Sequence, residues 1–524
     1  PHTPTRRQRQ MCIRDRENIK YQKPSKEILD LVEFERPPSI LYDENKNFML
    51  FLFRDNYKSI AELSAKELRL GGLRIDPKTN IGSRVTYYNN VKIRNLKNKK
   101  SEITQVKGLP KNPKLSNISW SPDQKRIALT NTTETGVELW VLELENGSVK
   151  KLTESNLNSN IGSVINWFSD SENMLVKMIS NNRRPLIDTN KIVPDGPTIS
   201  TNFGEKAQNR TYQDLLKNKF DEHNFEQLST STIYKVSIDG SVKKWMDDGM
   251  YRTISFSPNG EYVMISQINK PFSYLVTYSR FPTETNIYNK DGDFVSNLQK
   301  VPLIEELPKG FMSVRTGKRS FSWRPDKGAS LTYVTALDSG DPSKKVDFRD
   351  EVYELNYPFS GKGKFILKTI NRFSGIDWGT KDMAIAYDTW WNTRNRKSYV
   401  FNPSNPNIKP KIISDRNYQD TYSDPGSFLR SRNEFNRSVL KMHYGNIFLR
   451  GQGFSPSGQF PFIDKVNTKT FEKTRVYQSS YTDKIESIID YDPKKNQLTV
   501  SIESPSEYPN YYTCLLYTSD AADE

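Results

Sequence analysis

Cysteine is nearly missing from this chain. Its 524 residues contain two, Cys12 and Cys514, both close to the ends. The body between them therefore has no disulfide framework, no cysteine metal cluster and no thiol nucleophile. A cysteine-free body suits either redox compartment, so the compartment stays open. Histidine is almost as scarce: His2, His223 and His443. His2 lies in an Arg/Gln-rich leader, and neither other histidine stands in a spacing that argues a Ser–His–Asp set. Both are read as surface or packed residues. No run of about 18 apolar residues exists, which argues against a membrane span. The longest apolar stretch, Phe48 to Phe53, reads as a buried strand. The Gly-x-Ser-x-Gly nucleophile elbow is missing too. Gly453-Phe454-Ser455-Pro456-Ser457-Gly458 comes near, but Ser457 stands where the second glycine belongs, and the segment reads as a hairpin loop. Gly361-Lys362-Gly363-Lys364 lacks the phosphate-loop pattern, and the acid-rich stretches 338–341 and 347–350 lack calcium-loop spacing. No cofactor and no metal are expected.

What is present is aromatic and repetitive. Aromatics make up 12% of a chain that is only 35% hydrophobic, a balance that suits many short, half-exposed strands. Three segments are near copies: Ile118-Ser119-Trp120-Ser121-Pro122-Asp123, Ile254-Ser255-Phe256-Ser257-Pro258-Asn259-Gly260 and Phe321-Ser322-Trp323-Arg324-Pro325-Asp326. Each is an alternating strand ending in an aromatic, then a turn in which proline presets φ and Asp or Asn follows. Weaker copies occur at 164–170 and 375–379. A second recurrent signal is a late hairpin, at Asn146-Gly147, Asp239-Gly240, Asp291-Gly292 and 467–469. A strand–turn unit returning at roughly one-blade intervals, where a bare blade needs about 40–50 residues and insertions lengthen some gaps, marks a β-propeller. The expected fold is all-β: a propeller of about seven blades, eight being possible, each a four-stranded antiparallel sheet. A helical insertion is expected within about 182–228, with its helix at Gln213 to Lys219. Helices are also expected at Lys26 to Val32, with Ser25 as its cap, and at Ala61 to Arg69. Trp390-Trp391 is read as inter-blade packing.

The formal charge is +15. The basic residues are scattered among almost as many acids, and only Lys97 to Lys100 forms a compact run, so the reading is a solvated basic surface with no nucleic-acid partner. The two ends break the pattern. Residues 1–16 and 513–524 resemble translated sequencing-adapter sequence and are read as non-native tails. Residues 17–34 are then a linker with a short helix, and 35–512 the propeller domain.

Several segments carry a resemblance. Leu70-Gly71-Gly72-Leu73-Arg74-Ile75-Asp76, followed by 80–84, is similar to a stretch near the start of the glutamyl endopeptidase branch of the prolyl oligopeptidase family. Residues 210–217, 271–274 with 280–282, 313–320 and 422–427 resemble later stretches of the same branch, in the same order. The resemblance implies an N-terminal propeller that gates peptide access to a C-terminal α/β-hydrolase domain, with Ser, Asp and His on that second domain. It implies cleavage after Glu, and a chain that by itself is not catalytic. The partners implied are a peptide substrate and the hydrolase domain missing from this sequence. Bacterial relatives commonly carry a signal peptide, so the resemblance implies an extracytoplasmic site. Arg280, Arg315 and Arg319 lie in the matching segments and are the candidate substrate contacts, because a guanidinium fork suits a Glu carboxylate. Two other readings stay open: a stand-alone scaffold propeller that binds proteins, and a propeller that acts on glycans through paired carboxylates.

Overall fold

The computed structural model describes residues 23–98, 100–188, 191 and 212–516. The leader 1–16, with His2 and Cys12, lies outside the described residues, as do 192–211 of the insertion and 517–524. The strands form a β-propeller. Four-stranded meanders cover residues 39–105 (blade 1), 115–151 (blade 2), 319–369 (blade 5) and 372–417 (blade 6), and a meander of the same order whose strand A is split in two, 427–428 and 442–443, covers 427–478 (blade 7). Blades 3 and 4 share one seven-stranded sheet, because the strand Val242–Phe256 serves both. Its first half pairs with Ser231–Ser237 and its second with Tyr262–Ile268. A three-stranded unit, 485–515, is blade 8. The described residues thus hold eight units, inside the range that the repeat spacing allows. The last strand, Glu507–Leu515, runs into the segment read as a tail. Strands within each blade are called A to D in chain order.

Middle strands are buried on both faces, which explains why they read as apolar runs rather than as alternation. In strand B of blade 6, Met383 and Ile385 pack toward blade 7 while Ala384 and Ala386 pack toward blade 5. Ile127 and Leu129 likewise face blade 1, and Ala128 faces blade 3. Every adjacent pair from blades 1–2 to blades 7–8 is joined by an apolar cluster of this kind. The seam between blades 8 and 1 is different. Lys46 bridges to Asp490 (2.9 Å) and Thr499 (3.1 Å), and Tyr42 meets Tyr511 edge-on at 5.9 Å.

The repeated aromatics close each A strand and tie blade to blade. Trp167 Nε1 donates to the Ser119 carbonyl of the preceding blade at 3.2 Å, and Trp323 Nε1 to the Ser255 carbonyl at 3.0 Å. Phe256 packs on Phe168 at 4.7 Å, and the Arg324 guanidinium stacks on Trp378 at 4.0 Å. The turn that follows is held by its own side chains. Ser121 Oγ donates to Asp123 (2.6 Å) and Ser257 Oγ to Asn259 (2.7 Å). In the third copy Arg324 replaces the serine and pairs with Asp326 at 2.7 Å. Trp390 lies under Arg349 of blade 5 at 3.9 Å, an inter-blade contact.

Two helical expectations are corrected. The insertion helix is Lys219–Ser229, not 213–219. Asn218 caps it by accepting from Asp221 N at 2.9 Å. The preceding residues are held out of a helix because Asp214 O accepts from Gly72 N at 2.8 Å. Of the stretch Ala61 to Arg69 only the first three residues are helical, in the short helix Ile60–Leu63 that a capping box between Ser59 and Glu62 opens. Leu68–Leu70 is instead a strand paired with Leu73–Asp76. The helix Lys26–Val32 forms where expected.

Candidate functional site

Strands alternate in direction, so A–B and C–D turns lie at one end of the ring, and B–C and D–A connections at the other. Every described segment that carries the family resemblance is at the B–C end. Residues 70–84 belong to the B–C connection of blade 1, residues 212–217 to that of blade 3, and residues 271–282 to that of blade 4. Residues 313–318 lead into blade 5 and residues 422–426 into blade 7.

Three of these segments fold together into a side lobe around Leu70, Ile75, Phe225, Phe272 and Phe281. Tyr278 N donates to Gly71 O at 2.7 Å, and Arg74 Nε donates to Asp214 at 2.5 Å. Phe225 meets Phe272 and Phe281 edge-on at 5.0 and 5.5 Å. Gly72 sits at φ +91°, and a Cβ there would stand 2.8 Å from Thr277 Cγ2, so glycine is required.

The structure places Arg280 in this lobe, with its guanidinium 5.4 Å from the Tyr212 ring. It brings Arg315 and Arg319 together at blade 5. Arg319 lies 2.5 Å from Asp350, a carboxylate that also takes Arg372 at 3.1 Å. Arg372 and Arg349 meet on Asp338 at 2.6 and 2.8 Å. Three guanidiniums on two fully buried carboxylates leave an excess of positive charge. Arg315 adds to it, and burial together with the charge of Arg319 lowers its proton affinity. Arg315 donates to Gln299 Oε1 (2.7 Å) and Thr316 O (3.0 Å), and it lines a cavity of about 780 Å³.

A second cavity, about 650 Å³, lies between blades 6 and 7 and reaches Asp490 of blade 8. Its acids are already matched. Asp377 takes Arg430 (2.5 Å) and the Tyr387 hydroxyl (2.8 Å), and Asp424 takes Arg416 (3.0 Å). Burial first, and then the charge of Asp377, raises the Tyr387 pKa, so this phenol stays a donor. Two further guanidiniums line the cavity without a carboxylate among the described residues. Arg396 stacks on Tyr387 at 5.1 Å, and Arg450 Nη1 donates to the carbonyls of Ile488 and Ile489, each at 2.9 Å. A polar cavity with two such groups can take an anionic carboxylate. Sequence reasoning missed both, because Arg396 and Arg450 stand far apart in the chain and no motif joins them. Strand parity is the one available signal: Arg396 and Ser398 share a face of Asn395–Phe401, and both line the cavity.

Two of the three histidines, His223 and His443, are among the described residues. His223 lies within the insertion helix, and its Nε2 is 2.9 Å from Pro185 O. His443 packs on Tyr444 at 4.1 Å. The near-miss at 453–458 is a hairpin turn, with Ser455 and Ser457 hydroxyls 3.0 Å apart.

Fold and face together define a β-propeller built up at its B–C end. Over nearly its whole length the chain is similar to two plant proteins, each named "Probable glutamyl endopeptidase, chloroplastic". The one from Oryza sativa subsp. japonica is 32% identical over 520 residues, covering 94% of this chain and 55% of that protein. The one from Arabidopsis thaliana is 31% identical over 493 residues, covering 90% and 50%. The chain thus spans about half the length of the curated relatives it matches. No protein-family profile matches it. Among solved structures, a prolyl endopeptidase aligns with a TM-score of 0.40 at 12% identity, covering 84% of this chain and 54% of that one.

Proposed function

We propose that this chain is the propeller half of a serine endopeptidase of the prolyl oligopeptidase family that cuts peptides after Glu. The observation that carries the reading is the convergence of the similar segments on one end of the ring, alongside an alignment that spans about half of each relative. In this reading the B–C face meets the α/β-hydrolase domain, which supplies Ser, His and Asp, and the propeller positions the peptide. Acyl transfer takes place on the other domain, so this chain alone does not turn over peptide.

An acidic side chain of the peptide is held by Arg396 and Arg450, whose guanidiniums have no carboxylate of their own among the described residues. Arg315 and Arg319, beside the excess positive charge at blade 5, and Arg280 in the lobe are the next candidates. The test joins this chain to the C-terminal half of the rice relative and assays Glu-containing peptides. Activity is expected from the joined protein, blocked by serine-directed inhibitors, and none from the chain alone. Arg450→Gln and Arg396→Gln are expected to raise KM for Glu substrates about tenfold or more, with little change for a Gln analogue. Inhibitor-sensitive turnover by the chain alone would overturn the proposal.

A further inference from the structure

Strand A of blade 7 is interrupted: Ser427–Phe428 and Met442–His443 both pair with strand B, Asn446–Gly451, and between them the chain leaves the sheet as a hairpin. Arg430–Arg432 pairs with Ser438–Leu440, and residues 433–437 form its tip. The turns that its tip touches end the A strands of their blades and so lie at the A–B end, opposite the face described above. The base is fixed in the core between blades 6 and 7 through Leu440. The tip does not point outward. Asn433 Nδ2 donates to the Pro325 carbonyl of blade 5 at 2.7 Å, and Asn436 Nδ2 donates to the Pro122 carbonyl of blade 2. Arg437 Nη2 donates to the carbonyls of Phe256 (3.0 Å) and Ser257 (3.2 Å) of blade 4. Arg432 pairs with Glu44 of blade 1 at 2.8 Å, and Lys441, just after the hairpin, pairs with Asp490 of blade 8 at 2.5 Å.

Blades 2, 4 and 5 are touched at the same place in each repeat: the Ser-Pro-Asp, Ser-Pro-Asn or Arg-Pro-Asp turn that ends strand A. One narrow hairpin from blade 7 can reach the turn of blade 2 on one side and those of blades 4 and 5 on the other only by crossing the middle of the ring. The Ser257 carbonyl also accepts from Gly260 N within its own turn at 2.9 Å, and the hairpin supplies amide and guanidinium donors to it and to the carbonyls of Pro122, Phe256 and Pro325.

We infer that residues 430–441 are a fixed plug across the A–B mouth of the propeller, tying blades 1, 2, 4, 5, 6 and 8 to blade 7. Axial access to the ring is thereby directed to the opposite, B–C mouth. The plug itself rests on geometry alone; only the corollary, that a peptide enters by the B–C mouth, rests on the peptidase reading.

The test needs no activity. In this chain with Cys12 and Cys514 replaced by Ser, single cysteines are placed by Asn436→Cys, against the Pro122 carbonyl, and by Glu434→Cys, exposed on the same tip. A seated plug makes the first thiol react with a maleimide at least tenfold more slowly than the second, and the two rates converge in denaturant. Equal rates in the folded protein would overturn the inference. Trypsin on the unaltered chain is the second measurement. Cleavage after Arg432 and Arg437 is expected to lag well behind cleavage after Lys344 and Lys345, which are exposed on a loop of blade 5. Cleavage at the hairpin as fast as at that loop would equally overturn it. Neither result depends on whether the protein is a peptidase.

Discussion

Lys177 is a buried cation without an anion. It lies in the middle of the strand Asn173–Ile179, 2% exposed, and its ammonium donates to the Ile161 carbonyl. No carboxylate pairs with it among the described residues. Burial lowers its pKa from 10.5 to about 7. The unfolded chain therefore holds this proton well above pH 7, while the folded chain gives it up. Where the unfolded state binds more protons, stability rises with pH. The rise begins near pH 7 and ends near the unfolded value. At ~1.4 kcal/mol per pH unit, and with the folded lysine half-titrated at the start, the gain from pH 7 to 9 is about 2 kcal/mol. Lys177→Met keeps the length of the side chain and removes the titration. Urea unfolding of both proteins at pH 7 and pH 9 isolates the effect, since the other groups titrate alike in both. The Lys177→Met variant is expected to be the more stable form at pH 7, and its advantage is expected to shrink by about 2 kcal/mol at pH 9. An advantage independent of pH would refute the reasoning, because it would mean that the ammonium keeps its charge inside the fold.

Three further outcomes follow from the contacts. Gly72→Ala forces a side chain into a left-handed backbone and against Thr277, and should lower stability by about 1–3 kcal/mol, with faster amide exchange in the side lobe than in the blades. Arg372→Met leaves Asp338 and Asp350 with fewer partners in a fully buried place, and should cost about 3–5 kcal/mol in denaturant unfolding. Trp323→Phe removes the bond to the Ser255 carbonyl but keeps an aromatic ring, so a loss of about 1 kcal/mol is expected, against several for Trp323→Ala.

The parts of the fold legible in the sequence are those where one residue type has one use. Proline followed by Asp or Asn presets a turn, and Asn-Gly closes a hairpin, so blades 2 and 4 could be outlined from the letters alone. The missed helix shows the limit. Gln213 to Lys219 has the composition of a helix, yet the Asp214 carbonyl is claimed by Gly72 N and its carboxylate by Arg74, both about 140 positions earlier in the chain. Local propensity is weak beside such a pair of tertiary bonds. The site divides the same way. Arg315 and Arg319 were visible because they share a loop. Arg396 and Arg450 were not, because what joins them is the cavity between two blades.

The hairpin sharpens this distinction. Its letters, Arg430 to Leu440, resemble any polar loop, and its donors serve carbonyls at Pro122, Phe256, Ser257 and Pro325 in three other blades. A backbone carbonyl has no signature in a sequence, so the receiving half of each bond is invisible until the ring closes. The closed ring in turn depends on it at one weak place. Seven inter-blade contacts rest on apolar clusters, whereas the seam of blades 8 and 1 rests on Lys46 with Asp490 and Thr499 and on two tyrosines. The hairpin reaches both sides of that seam, through Arg432 to Glu44 and through Lys441 to the same Asp490. Burial opposes ionisation of Asp490, but Lys441 and Lys46 outweigh it and hold the carboxylate below its usual range. A depressed carboxylate adds stability that is present above its unfolded pKa and lost as pH falls through the folded one. Acid should therefore loosen the seam of blades 8 and 1 before it loosens the apolar joints. Amide exchange at about pH 3, below the usual carboxylate range, is expected to rise first in residues 39–53 and 485–504, and uniform loosening of all eight units would show that this seam is no weaker than the rest.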